Sequence, residues 1–104
     1  MDRAYRLHGF DFIWDEEKAY ANIRKHGIRF EEACEVFFDP FRVWEADTRH
    51  HEPRWSLLGY SESDRVLSVV ATEKDDEAWR IISARKATKQ EKRRYEKEHA
   101  FDER

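Results

Sequence analysis

The sequence predicts an α+β fold in which two N-terminal helices pack on a mainly antiparallel β-sheet and a third helix follows at the C-terminus. Two helix-like patterns lie near the start of the chain, and strand-like runs of aromatic and β-branched residues fill its second half. The polar turns between those runs are too short for crossover connections, so neighbouring strands should be antiparallel. Two helices can cover only one face of such a sheet, and we expect the other face to be partly open.

The composition is that of a small folded chain. Among 104 residues, 41% are charged and 14% are aromatic, and the net charge of −3 leaves both signs mixed. We expect one domain over residues 1–104, with residues 1–9 as a loose lead-in. The chain shows neither a signal-peptide pattern nor an apolar run of membrane-spanning length, and its single cysteine fits a reducing compartment. We therefore expect a soluble, cytoplasmic protein.

The first strand and the first helix are predicted from residues 10–26. Aromatic residues alternate through residues 10–14, as they do on one face of a strand. Asp15 then occupies an N-cap position and Gly27 a C′ position, which places a helix between them. Lys25 and His26 fall in its last turn, where the helix dipole favours cations, and they are also available as a basic pair facing a ligand.

A second helix is predicted over residues 30–38, because four apolar residues recur at helical spacing: Phe30, Ala33, Cys34 and Phe37. Cys34 is interpreted as a core thiol rather than a nucleophile. Asp39-Pro40 ends the helix, and residues 41–45 alternate as a strand. The polar loop that follows contains His50 and His51, but adjacent side chains point apart and no third ligand is suitably spaced, so we expect no metal site.

Three further strands form an antiparallel meander, over residues 54–60, 66–73 and 79–86. The middle run is the most β-like in the chain and should be the central strand. A capping box of Thr88 with Glu91 then begins the final helix, residues 88–99. That helix is polar apart from Tyr95, so we expect it to pack weakly or against a partner.

The last strand carries two arginines that a core strand does not need. Simple alternation places Arg80 and Arg85 on opposite faces of the sheet. Eight of the ten charged residues in 80–97 are basic, which is typical of phosphate binding and equally of a solvated helix face. The two arginines either serve a site or extend their charged ends from apolar surroundings into solvent.

Five segments, in their order and spacing, resemble the BrnT family of small toxins from type II toxin–antitoxin systems. They are FIWDEEK (12–18), NIRKHGI (22–28), FEEA (30–33), DP (39–40) and RIISARKA (80–87). The resemblance implies a RelE-like fold, RNA cleavage that requires no metal or other cofactor, and a BrnA-like ribbon-helix-helix antitoxin that also binds operator DNA. It further implies a complex of two toxins and two antitoxins. Arg29 departs from the family pattern, where Ser or Thr is commoner, and residues 1–9 and the acidic tail are additional.

Candidate site residues follow from the chemistry of RNA cleavage. Attack of the 2′-hydroxyl on the adjacent phosphate needs a base, cations for the charge that builds on phosphorus, and an acid for the leaving oxygen. The planar fork of arginine suits the cationic task, and Glu73 and His26 are the candidate bases, the histidine also being a candidate acid. Pairing with a neighbouring arginine is the alternative role for Glu73. The cationic candidates are Arg54, Arg80 and Arg85, and the further RNA contacts are Lys25, Ser83, Lys86 and Tyr95.

Two functions stay open for this basic patch. One is an endoribonuclease that cleaves mRNA and inhibits translation, and the other is a non-catalytic module that binds RNA or a DNA-binding regulator. The final helix is too polar to cover the large aromatic side chains, so we also expect apolar surface that an antitoxin would bury. The aromatic residues expected on that surface are Phe41, Trp44, Trp55 and Trp79.

Overall fold

A computed structural model describes residues 1–74 and 78–98 of the chain. Within these ranges it contains six β-strands, three α-helices and one 3-10 helix. The strands are β1 Asp2–Leu7, β2 Phe10–Asp15, β3 Val43–Asp47, β4 Arg54–Tyr60, β5 Val66–Lys74 and β6 Ala78–Lys86. The helices are α1 Glu16–His26, α2 Phe30–Glu35 and α3 Lys89–Glu98, with the 3-10 helix Val36–Phe38 after α2. The turn expected between the predicted strands 66–73 and 79–86, and the helix end expected at residue 99, reach outside the described residues.

The strands form one sheet in the order β1-β2-β6-β5-β4-β3. Four of its five neighbouring pairs are antiparallel, and β2 with β6 is the parallel pair. This confirms an α+β fold with a mostly antiparallel sheet, and it confirms the central position of β5. None of the helices in the described ranges is long and apolar enough to cross a membrane.

The expectation of a loose lead-in at residues 1–9 is wrong. Residues 2–7 form β1, which pairs with β2 along its whole length. The turn between the two strands is His8-Gly9, and both residues have positive φ, 51° and 82°. Two consecutive positive φ angles give a two-residue loop whose twist matches antiparallel strands. The pair His8-Gly9 is not one of the Asn-Gly or Asp-Gly pairs that mark such hairpins, so the sequence does not reveal this one.

The local signals around the first two helices are confirmed, with one change. The Asp15 carboxylate accepts from the backbone N–H of Lys18 at 3.0 Å, and Gly27 ends α1 in the left-handed conformation, with φ 70°. Arg29 precedes α2 without a side-chain cap bond. The α2 helix is shorter than expected, because its last turn tightens into the 3-10 helix Val36–Phe38.

The hydrophobic core lies between one face of the sheet and the helices α1 and α2. Its largest fully buried members are the side chains of Trp14, Phe12, Phe30, Ile28, Leu57 and Leu67. Cys34 is also fully buried, as expected, and burial raises the pKa of its thiol. We call this side of the sheet the helix face.

The expected exposure of three tryptophans is wrong. Trp44 packs edge-on against Trp55, with ring centroids 5.8 Å apart, and lies 5.3 Å from Trp79. Phe37 contacts Trp44 and Trp79 of this group, which is half-buried at the margin of the core. Phe41 is 47% exposed, as expected.

Helix α3 packs on the opposite side of the sheet. Tyr95 is 6% exposed and its ring meets Tyr60 of β4 at 5.6 Å. Arg94 forms an ion pair with Glu45 of β3 at 2.7 Å. The helix is therefore anchored by one buried aromatic ring and covers the β3–β4 end of this surface, which we call the open face.

Candidate active site

A β-bulge brings Arg80 and Arg85 to the same face of the sheet. Val70 pairs with Ser83 and Ala71 with Ile81, so Ile82 is an extra residue on β6. The alternation of side chains therefore shifts by one position beyond the bulge. Arg80 lies opposite Thr72, and Arg85 lies opposite Ser68. Thr72 and Ser68 are four residues apart on β5 and therefore share a face, so both arginines belong to the open face. The predicted placement of these arginines on opposite faces is wrong.

Arg54, Thr72 and Arg80 form a row across three adjacent strands of the open face, which we call the arginine row. Trp55 pairs with Ala71, so Arg54 faces Thr72 in the same register, and Thr72 pairs in turn with Arg80. Thr72 is 1% exposed. Its Oγ1 and the Nε of Arg54 are buried without a hydrogen-bond partner among residues 1–74 and 78–98.

Two of the three arginines hold carboxylates. Arg80 donates two hydrogen bonds to Asp2, at 3.2 and 2.9 Å, and these lower the pKa of Asp2. Arg85 donates to Glu91 at 2.7 and 3.0 Å, which lowers the pKa of that carboxyl. The partner of Arg80 is therefore Asp2 of β1 and not Glu73, the alternative partner inferred from the sequence.

Glu73 does not join the arginines. It pairs with Trp79 and so lies on the helix face, although it directly follows Thr72 along β5. Its side chain is exposed, near the turn between β1 and β2. The structure therefore separates the candidate base from the arginine row by the thickness of the sheet.

The other candidates are dispersed. Lys25 and His26 are exposed in the last turn of α1, on the helix side of the sheet. Ser83 is half-buried on the open face beside Arg85, whereas Lys86 is exposed at the end of β6 and faces the other way, opposite Leu67. Of these four, only Ser83 has its side chain on the face of the sheet that carries the arginines.

Tyr95 has a structural role that the sequence did not indicate. Its hydroxyl donates to the Asp39 carboxylate at 2.5 Å, and the same carboxylate accepts from the backbone N–H groups of Tyr60 and Phe41. Burial, with the hydrogen bond to Asp39 second, raises the pKa of Tyr95. Tyr95 is thus an anchor of α3 and is poorly placed to contact RNA. Asp39 could be found from the sequence only as the residue before Pro40, a helix-end signal.

Asn22 fixes the position of β6, a function that the sequence analysis missed. Its side chain accepts from the backbone N–H of Ala84 at 3.1 Å and donates to the carbonyls of Ala84 and Ile28 at 2.8 and 2.9 Å. The pairing of β2 with β6 reaches only as far as Arg80. Asn22 therefore satisfies the edge of β6 that β2 leaves unpaired, and it holds the strand just before Arg85.

Comparisons with known proteins agree with this architecture. A family model described as the ribonuclease toxin BrnT of type II toxin–antitoxin systems matches residues 14–91. The fold is similar to the 1.1 Å crystal structure of the ribonuclease toxin BrnT from Brucella abortus, with a TM-score of 0.56 and 24% identity over 73% of this chain and 94% of that chain. A search of curated proteins found no match. Because the family model spans most of the sequence, the chain belongs to the BrnT family of ribonuclease toxins of type II toxin–antitoxin systems.

Proposed function

We propose that this protein is a metal-independent endoribonuclease that cleaves mRNA on the open face of its sheet and thereby inhibits translation. The observation that carries the proposal is the convergence of Arg54, Arg80 and Arg85 on one face, which depends on the bulge in β6. Bulges commonly redirect side chains next to active sites. The proposal includes a RelE-like arrangement of sheet and helices.

The reaction proposed is transesterification within the RNA. The 2′-oxygen bonds to phosphorus while the bond from phosphorus to the 5′-oxygen breaks, which yields a 2′,3′-cyclic phosphate and a 5′-hydroxyl end. The proton of the 2′-hydroxyl passes to a base, and the 5′-oxygen receives a proton. Guanidinium groups that are already positioned stabilise the charge on the phosphoryl oxygens, and loss of one such donor typically costs about 100- to 1,000-fold in rate.

The arginines are the part of this mechanism that the geometry supports best. Glu73 and His26 lie on the helix side, so they fit poorly as groups that touch a phosphate bound to the arginine row. We expect Glu73→Gln and His26→Gln to retain cleavage. A loss of cleavage in either variant, with folding intact, would restore that residue as the base and place the RNA across the sheet edge.

The partner proposed is a BrnA-like, ribbon-helix-helix antitoxin that binds DNA, in a complex of two toxins and two antitoxins. Exposed apolar side chains on α1, Tyr20 and Ile23 with 60% and 40% exposure, give such a partner a surface to bury. An acidic antitoxin segment would also compete for the arginines. A partner that binds only the folded toxin raises its melting temperature, so the complex should melt higher and cleave no RNA.

The direct test is induction of the full chain in bacteria without antitoxin, followed by mapping of RNA ends. Arg54→Ala should abolish new ends while leaving the fold intact. Arg24→Ala is the matched control, because Arg24 is exposed in the last turn of α1, on the helix side of the sheet. Intact RNA with blocked translation would identify a non-catalytic RNA-binding module instead, and unaffected growth with folded protein would refute both functions.

A further inference from the structure

Thr72 is an unusual choice for its position. It lies on a central strand, is 1% exposed, and its hydroxyl has no hydrogen-bond partner among the described residues. A buried polar group without a partner costs free energy, and most buried hydroxyls are satisfied. Valine has nearly the same shape and would remove that cost. A threonine here therefore points to a hydrogen bond that forms with a ligand.

A second unpartnered group lies in the same row. The Nε of Arg54, on the neighbouring strand, is buried and also has no hydrogen-bond partner within residues 1–74 and 78–98. Thr72 Oγ1 and Arg54 Nε can both donate, and an anionic oxygen accepts from two donors readily. The shared register of the two residues brings their side chains to adjacent positions on the open face.

The three arginines are not equally free to bind an anion. The fork of Arg85 is filled by Glu91, whose side chain also caps α3 through the backbone N–H of Thr88 at 2.9 Å. Arg80 is held by Asp2, which is 50% exposed, and ion pairs so exposed to solvent are weak. In the described part of the chain, Arg54 forms no ion pair. Asp47 lies opposite Arg54 on β3, but its carboxylate is bound by Arg49. An incoming phosphate therefore displaces least at Arg54.

We propose that Thr72 and Arg54 form the inner wall of a phosphate-binding subsite for the RNA backbone, which opens when Arg80 leaves Asp2. The inference rests on the proposed function, since it takes RNA as the ligand. Thr72 lies between Arg54 and Arg80 on the sheet, so a movement of the longer side chains is what exposes its hydroxyl. Thr72 Oγ1 and Arg54 Nε then donate to one phosphate oxygen, and the freed Arg80 fork binds from the outer side.

The test measures binding without cleavage. A fluorescently labelled 2′-O-methyl RNA oligonucleotide lacks the attacking hydroxyl, so its anisotropy with the antitoxin-free full chain reports affinity alone. Thr72→Val should weaken binding about 10-fold, equivalent to about 1.4 kcal/mol, and should raise the melting temperature because the unsatisfied hydroxyl is gone. Thr72→Ser keeps the hydroxyl and should keep the affinity. Ser68→Ala is the matched control, since Ser68 is buried on the same face of the same strand.

The subsite predicts that Thr72→Val weakens RNA binding and at the same time stabilises the fold. If the hydroxyl had only a structural role, its removal would not produce both changes together. Wild-type affinity in Thr72→Val overturns the proposal, and so does equal weakening in Ser68→Ala. A lower melting temperature in Thr72→Val shows that the hydroxyl already has a partner, and also overturns it. If RNA ends remain intact in cells while the oligonucleotide binds through Thr72, the enzymatic proposal fails and the subsite stands.

Discussion

Arg85 is expected to support the fold as much as the chemistry, and this can be measured through its partner Glu91. Glu91 belongs to the capping box that begins α3, in which its own N–H donates to Thr88 at 3.1 Å. Arg85→Ala removes the ion pair and leaves that box in place. Glu91→Gln also removes the ion pair but retains an amide oxygen that can serve the cap. The two variants therefore isolate the same interaction from opposite sides.

The magnitude follows from the exposure of the two side chains. Hydrogen bonds to charged groups contribute about 1.5–3 kcal/mol each when buried, but the Arg85 and Glu91 side chains are 42% and 25% exposed. Solvent screening reduces the value towards that of surface pairs, which is at most about 1 kcal/mol. We expect each variant to lose about 1–2 kcal/mol of unfolding free energy, with a melting temperature about 4–8 °C lower for each kcal/mol.

A double-mutant cycle in urea decides between this structural role and a purely catalytic one. If the pair stabilises the fold, the Arg85→Ala/Glu91→Gln protein is less destabilised than the two single losses predict, by about 1 kcal/mol. Additive losses would refute the reasoning and leave Arg85 as a residue kept for RNA alone. Relief of toxicity by Arg85→Ala is evidence for catalysis only if Glu91→Gln, which is destabilised in the same way, remains toxic.

Three further changes test the scaffold. Gly59→Ala should cost about 1–3 kcal/mol in urea unfolding, because the new Cβ would lie 2.9 Å from Val36 Cγ1; unchanged stability would refute this close approach. Asn22→Leu should speed hydrogen exchange at the Ala84 amide, which loses its acceptor, while β5 amides stay protected. Arg65 lowers the pKa of the buried Glu32 carboxyl, so this ion pair stabilises the fold above the ordinary glutamate pKa and its contribution disappears as pH falls through the folded-state pKa. Glu32→Gln should therefore flatten the acid limb of a stability–pH profile, and an unchanged slope would contradict the assignment.

Features set by neighbouring residues were predictable from the sequence. Asp15, Gly27 and Thr88 act within one helical turn, and each has the predicted role in the structure. The meander was predictable for the same reason, since short turns connect its strands. Its one long-range addition, the parallel pairing of β2 with β6, joins strands separated by most of the chain and has no local signature.

The candidate site was only partly predictable, because its geometry depends on how β5 pairs with β6, and the sequence of one strand does not determine that register. The bulge is a relation between β5 and β6, so counting along β6 alone put Arg80 and Arg85 on opposite faces. The same counting placed Arg85 on the face of Trp79, the partner of Glu73, so it did not reveal that Glu73 lies on the opposite face from both arginines. Thr72 gave no signal, since threonine is an ordinary strand residue and only burial without a partner sets it apart.

The hairpin missed in the sequence changes the energetics of the proposed site. Its first strand supplies Asp2, so an RNA phosphate that reaches Arg80 replaces one oxyanion with another. The gain is therefore smaller than at an arginine that is not engaged in an ion pair. Arg54 should therefore contribute more to affinity than Arg80 does. An acidic antitoxin segment faces the same exchange, and it too should gain most at Arg54. On this reasoning the carboxylate of Asp2, in a segment that the sequence presents as a lead-in, limits how much Arg80 adds to anion binding on the open face.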